Sequence, residues 1–88
     1  MVFRVRAGCG GMMLKGVRVL MVSANGVTEL GETDGFGILK VIKKDLIDLD
    51  PGVILFCHGS FFCGAFDTRE PRFFEFDERF IQLAPFAL

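Results

Sequence analysis

Residues 17–42 read VRVLMVSANGVTELGETDGFGILKVI, and this stretch decides the fold. Residues 17–22 are apolar and rich in β-branched side chains, which suit a pleated, half-buried surface. Ser23-Ala24-Asn25-Gly26 follows. Asn25-Gly26 supplies positive φ at low steric cost, so it predicts a hairpin. Residues 27–33 (VTELGET) return as a more polar strand, suited to a sheet edge. Thr33-Asp34-Gly35-Phe36-Gly37 is the next turn. Asp34 can accept hydrogen bonds from backbone N–H groups one or two residues on, and Gly35 and Gly37 open φ values closed to other residues. Residues 38–42 (ILKVI) form the strand that follows.

Working outward, residues 1–6 (MVFRVR) alternate with period two, with Met1, Phe3 and Val5 on one face. Residues 7–16 hold Gly8, Gly10, Gly11 and Gly16 and read as a flexible connection. This glycine cluster precedes a strand and lacks a following Lys-Ser/Thr, so it is not a phosphate loop. Residues 43–50 (KKDLIDLD) allow one helical turn or an irregular crossover, ended by Pro51-Gly52. Residues 53–57 (VILFC) are continuously apolar, which predicts a central strand buried on both faces. His58-Gly59-Ser60 turns the chain into a partner strand, 61–66 (FFCGAF). Residues 67–72 (DTREPR) read as a charged loop, and 73–76 (FFEF) and 79–83 (RFIQL) as one or two more strands. The mixed charges from Asp67 to Arg79 read as a solvated rim. Short strands every 8–12 residues or so indicate an all-β sandwich or barrel, here one domain spanning 1–88.

Composition narrows the function classes. The chain has 88 residues, 51% hydrophobic and 24% charged, which excludes intrinsic disorder. No apolar run approaches the ~18 residues of a membrane span. Ten basic and eleven acidic side chains leave a net charge of −1, which argues against nucleic acid as a partner. No apolar signal region follows Arg4 and Arg6, and the three cysteines, Cys9, Cys57 and Cys63, are an odd number. Both features predict reduced thiols in a cytoplasmic protein. Eleven Phe with no Trp or Tyr, and a mean hydropathy of +0.47, are hard for so small a domain to hide. Some of that apolar area is expected to face another copy or another protein.

Gly16-Val17-Arg18-Val19, a hairpin, Thr33-Asp34 with Gly37 and Leu39, and then Pro51-Gly52-Val53-Ile54-Leu55 together resemble the carboxypeptidase regulatory-like, or transthyretin-like, domains. The resemblance covers roughly residues 15–66 and consists of turn chemistry. It implies a seven-stranded Greek-key β-sandwich without enzyme activity of its own. The enzymatic branch of the transthyretin fold, which hydrolyses 5-hydroxyisourate, has a set of His and Arg residues and a C-terminal Tyr-Arg-Gly-Ser. This chain has one His, no Tyr, and a tail of Leu83-Ala84-Pro85-Phe86-Ala87-Leu88.

The one grouping that carries reactive chemistry is Cys57-His58 with Cys63. Thiolates and imidazole bind zinc, but five residues separate the cysteines where zinc knuckles space them by about two to four. In apolar surroundings Cys behaves as a small hydrophobe. Adjacent residues on a strand point to opposite faces, which places Cys57 and His58 poorly for nucleophilic catalysis. Asp34 alone falls far short of the ligand set of a calcium ion. The structural turn residues are therefore Asn25, Gly26, Thr33, Asp34, Gly35, Gly37, Pro51 and Gly52. Phe73 and Phe74 are adjacent and cannot share one face of a strand, so one of them is expected at an interface. The sequence reads as a non-enzymatic binding or structural module without cofactor, pairing as a homodimer or with another protein. The alternatives are a small Cys/His metal-binding protein and a transthyretin-type hydrolase.

Overall fold

A computed structural model describes residues 1–7, 11–59, 62–70 and 72–85, the side chains of 62–64, 84 and 85 excepted. Strands dominate, and the all-β expectation holds. The strands are β1 (Val2–Ala7), β2 (Arg18–Ser23), β3 (Gly26–Glu32), β4 (Ile38–Lys40), β5 (Gly52–His58), β6 (Phe62–Asp67) and β7 (Glu78–Pro85). One short helix, α1 (Lys43–Ile47), lies between β4 and β5.

The strand order is β3-β2-β5-β6-β7-β1-β4. The first four form an antiparallel sheet. β1 pairs in parallel with β7 and antiparallel with β4 to make the second. β7 belongs to both. Its residues Glu78 to Leu83 run beside β1, and its last two, Ala84 and Pro85, pair with β6.

Period-two alternation aims one face of each sheet inward. Phe3 and Val5 of β1, Val19 and Met21 of β2, Ile54 and Phe56 of β5, and Ile81 and Leu83 of β7 form one buried cluster. The sheets meet where the Phe3 ring stands edge-on to Phe56, with centroids 5.3 Å apart. α1 is the single turn that the sequence allows, and it contributes buried Leu46.

Four local expectations need correction. Asn25 does not take positive φ. The two-residue loop is Ala24-Asn25, and the left-handed conformation falls on Gly26, at φ 128°. The Ser23 hydroxyl accepts the Asn25 N–H at 3.3 Å, and the Asn25 amide donates to the Asp50 carboxylate. Those two bonds hold Asn25 in ordinary backbone geometry. Second, β5 is not buried on both faces. Ile54 and Phe56 are buried, but Val53, Leu55 and Cys57 are half-buried on the outer face of the sheet. A continuous apolar run records only that both faces avoid charge. Third, residues 73–76 are not a strand. Phe73–Glu75 is a 3-10 turn, which frees Phe73 and Phe74 from strand alternation. Phe73 is fully buried and Phe74 packs against the same core. Fourth, the connection after β1 is partly built into the fold. Met13 bridges to Arg6, and Leu14 is buried with its N–H donating to the Val5 carbonyl at 3.2 Å. Gly8 and Gly10 lie outside the described residues.

Candidate functional site

The turn residues fasten the connections at the strand ends. Thr33 is buried; its hydroxyl accepts the Val17 N–H at 3.0 Å and donates to the Leu14 carbonyl at 2.6 Å. Asp34 Oδ1 accepts the N–H groups of Phe36 at 2.9 Å and Ile38 at 3.0 Å. Gly37 has φ 73°, and a Cβ there would meet the Val5 carbonyl oxygen. Gly35 needs no such freedom: its φ is not positive. Pro51 is exposed, while Gly52 is buried against Val22, whose carbonyl a Cβ would overlap. Thr68, which the sequence reading left in a charged loop, repeats the Thr33 device. Its hydroxyl lies 3.0 Å from both the N–H and the carbonyl oxygen of Gly52. No local pattern marks Thr68, because its partner is 16 residues away.

Cys57 and Cys63 occupy directly opposed positions on β5 and β6, and His58 stands opposite Phe62. Cys57 and His58 are half-buried. Alternation sends Cys57 to the outer face with Val53 and Leu55, and His58 to the other. Among the described residues no three His, Cys, Asp or Glu side chains are grouped closely enough to share a metal ion. Cys9 and the Cys63 side chain lie outside them.

Of the two adjacent aromatics, Phe73 is buried and Phe74 is half-buried. Phe73 is 0% exposed in this chain's own core, so it is not available to a partner. Among the described residues of the C-terminal segment, Phe76 and Phe80 are the exposed aromatics. Arg79, expected at a solvated rim, is half-buried instead. Its guanidinium carbon lies 5.6 Å from the centroid of Phe66, 5.0 Å from Phe73 and 5.1 Å from Phe76. One of its amino groups donates to the Phe73 carbonyl at 3.1 Å, while its buried Nε finds no acceptor among the described residues. Strand alternation could have flagged it, because Arg79 is in phase with Ile81 and Leu83, which face the core.

Shallow depressions mark the surface of the described residues. One of about 190 Å³ is lined by Arg4, Arg6, Met13, Phe36 and Ile38 with Val5. One of about 210 Å³ lies beside the β2–β3 turn and Asp48–Asp50. One of about 230 Å³ lies between α1 and Phe74. Each of these is smaller than the ~300–1,000 Å³ of ordinary small-molecule sites. The broader features are the two outer sheet faces. On the larger sheet, strand register sets Val27 beside Val22 and Val22 beside Val53, and sets Leu20 beside Leu55. On the smaller sheet it sets Arg4 between Ile38 and Phe80. No protein-family model, no curated protein and no solved structure matches this chain.

Proposed function

We propose that this chain is a non-catalytic binding or structural module, a seven-stranded Greek-key sandwich of the transthyretin-like kind that pairs with a second copy of itself or with another protein. The observation that carries the reading is the outer face of the four-stranded sheet. An antiparallel sheet with one face in water normally alternates apolar-in and polar-out. Here both central strands carry apolar side chains on the outer side as well, beside one Arg18–Glu29 ion pair. Leu20, Val22, Val53 and Leu55 are half-buried, and Val27 on the edge strand is 65% exposed. β3 also ends the sheet, and an edge strand leaves N–H and carbonyl groups able to pair with another chain. The odd cysteine count suits a reduced, cytoplasmic setting for such a module.

Sedimentation equilibrium at tens of micromolar protein tests the self-pairing form. The expected mass is about twice the 9.8 kDa of the chain. Val27→Asp, at an exposed position, should return it to a monomer, because the new charge would be desolvated against Val22 and Val53. A wild-type monomer overturns self-pairing, and a dimer untouched by Val27→Asp overturns the face.

A further inference from the structure

We propose that the outer face of β1, together with the Asp34–Gly37 turn, binds an acidic segment of a partner protein. Arg6 and Arg4 meet its carboxylates, and Phe36 and Met13 meet its apolar side chains. The inference rests on reading the chain as a binding module and names the chemistry of one partner.

Arg4 and Arg6 are two residues apart on β1, so they share a face about 7 Å apart. Arg4 already holds Glu78 at 3.2 Å. Arg6 is exposed and has no carboxylate within ion-pair distance among the described residues. The depression beside them is closed by Phe36 and Met13, which are 69% and 49% exposed. A guanidinium next to an uncovered aromatic ring suits a carboxylate carried beside an apolar group, because its planar fork matches the two carboxylate oxygens.

The site is held ready. The Phe36 N–H is fixed by Asp34 Oδ1, the Val5 N–H donates to the Gly37 carbonyl at 2.8 Å, and Met13 is bridged to Arg6. These bonds hold the backbone in place, so the ordering left to oppose binding is that of the side chains. Charge selects the occupant. A phosphate polymer or an anionic bilayer is held by runs or clusters of cations. This face offers Arg4, Arg6 and Lys40, with Arg4 shared, on a chain of net charge −1. Two or three cations match a few carboxylates better than a polyanion.

The test is amide NMR on the isotope-labelled 88-residue chain, titrated with a blocked peptide of alternating Glu and Leu. Saturable shifts are expected at Arg4, Arg6, Met13 and Phe36. Replacing Glu by Gln in the peptide, or Arg6→Glu in the protein, should each weaken binding about tenfold, since like-charge juxtaposition adds to the lost attraction. Arg6→Glu should in turn take up a Lys/Leu peptide that the wild type ignores. Arg6 and Phe36 are exposed, so the remaining amide spectrum should stay in place and report an intact fold. No saturable shift, shifts on the β2–β5 outer face instead, or binding of single-stranded DNA or phosphatidylserine vesicles without the peptide would each overturn the inference. A chain that dimerises through Val27 yet ignores the peptide would sink this inference and leave the binding-module reading standing.

Discussion

Thr33 and Thr68 show what a single side chain does in this molecule. Each places one hydroxyl between a backbone N–H and a backbone carbonyl, and at Gly52 the carbonyl also accepts the Thr68 N–H. A buried backbone group without a partner carries its full desolvation penalty. Thr33→Val keeps the shape and removes both bonds, stranding the Val17 N–H and the Leu14 carbonyl. Urea unfolding should show a loss of about 1–3 kcal/mol, and Thr33→Ser should recover most of it. An unchanged midpoint for Thr33→Val would show that the hydroxyl bonds contribute nothing. Asp34 was legible at this scale because its acceptor bonds close within four residues. Thr33 was legible only as a turn residue, since its bonds reach 16 and 19 residues back along the chain.

The segment from β6 to β7 shows how an element differs from its composition. A run of Phe reads as strand, yet the chain must leave one sheet and enter the other between Asp67 and Glu78. It does so by a turn at Thr68-Arg69 and the 3-10 turn at Phe73–Glu75. Asp67 closes the first of these. Its carboxylate accepts the Arg69 N–H at 2.8 Å and pairs with the Arg69 guanidinium at 2.8 Å. The side-chain hydrogen bond from Arg69 is the main reason that the Asp67 pKa falls from 3.8 to about 2. A carboxyl depressed in the folded state contributes stability above its unfolded value, and that contribution is lost as pH falls toward the folded value. The window therefore runs from roughly pH 4 down to about 2. The Asp67 side chain is open to water, so the effect is small. The urea midpoint of the wild type should drop more across that window than that of Asp67→Asn, with the two curves meeting at its acid end. Parallel curves through the window would show that this pair does not couple to folding.

Across the whole molecule, aromatic rings join the two sheets into one core. Phe3 touches Phe56, Phe56 stands 6.0 Å from Phe66, Phe66 lies 6.4 Å from Phe73, and Phe73 lies 5.0 Å from Phe74. Arg79 closes the far end over Phe66, Phe73 and Phe76. Phe56 is central to this series and has no solvent exposure. Phe56→Ala should therefore destabilise by about 3–5 kcal/mol in thermal or urea unfolding. Phe80→Ser, at a ring 66% exposed, should stay within about 0.5 kcal/mol. Comparable losses in the two variants would mean that the core is not where the rings place it. The chain exposes 5689 Å², against the roughly 5,200 Å² expected of a compact monomer of its mass.

Local sequence sufficed for the all-β class and for the limits of most strands, though not at 73–76, where the structure has a 3-10 turn. Alternation at 1–6, β-branched runs at 17–22 and 53–57, and the turns at 23–26, 33–37 and 51–52 act over a few residues, where steric preference and local hydrogen bonding decide the outcome. It also determined that more apolar area exists than 88 residues can hide. Only the tertiary structure decided which apolar side chains those are. Phe73 and Phe76 look alike in sequence, but one is buried and the other is exposed, because a 3-10 turn rather than a strand carries Phe73. Arg6 and Arg79 are both basic residues on strands, yet one stands beside exposed Phe36 and Met13 while the other is enclosed by three rings. Burial is a property of what the rest of the chain brings alongside, and strand pairings that cross from β1 to β7 are closed between residues about as far apart in sequence as this chain allows.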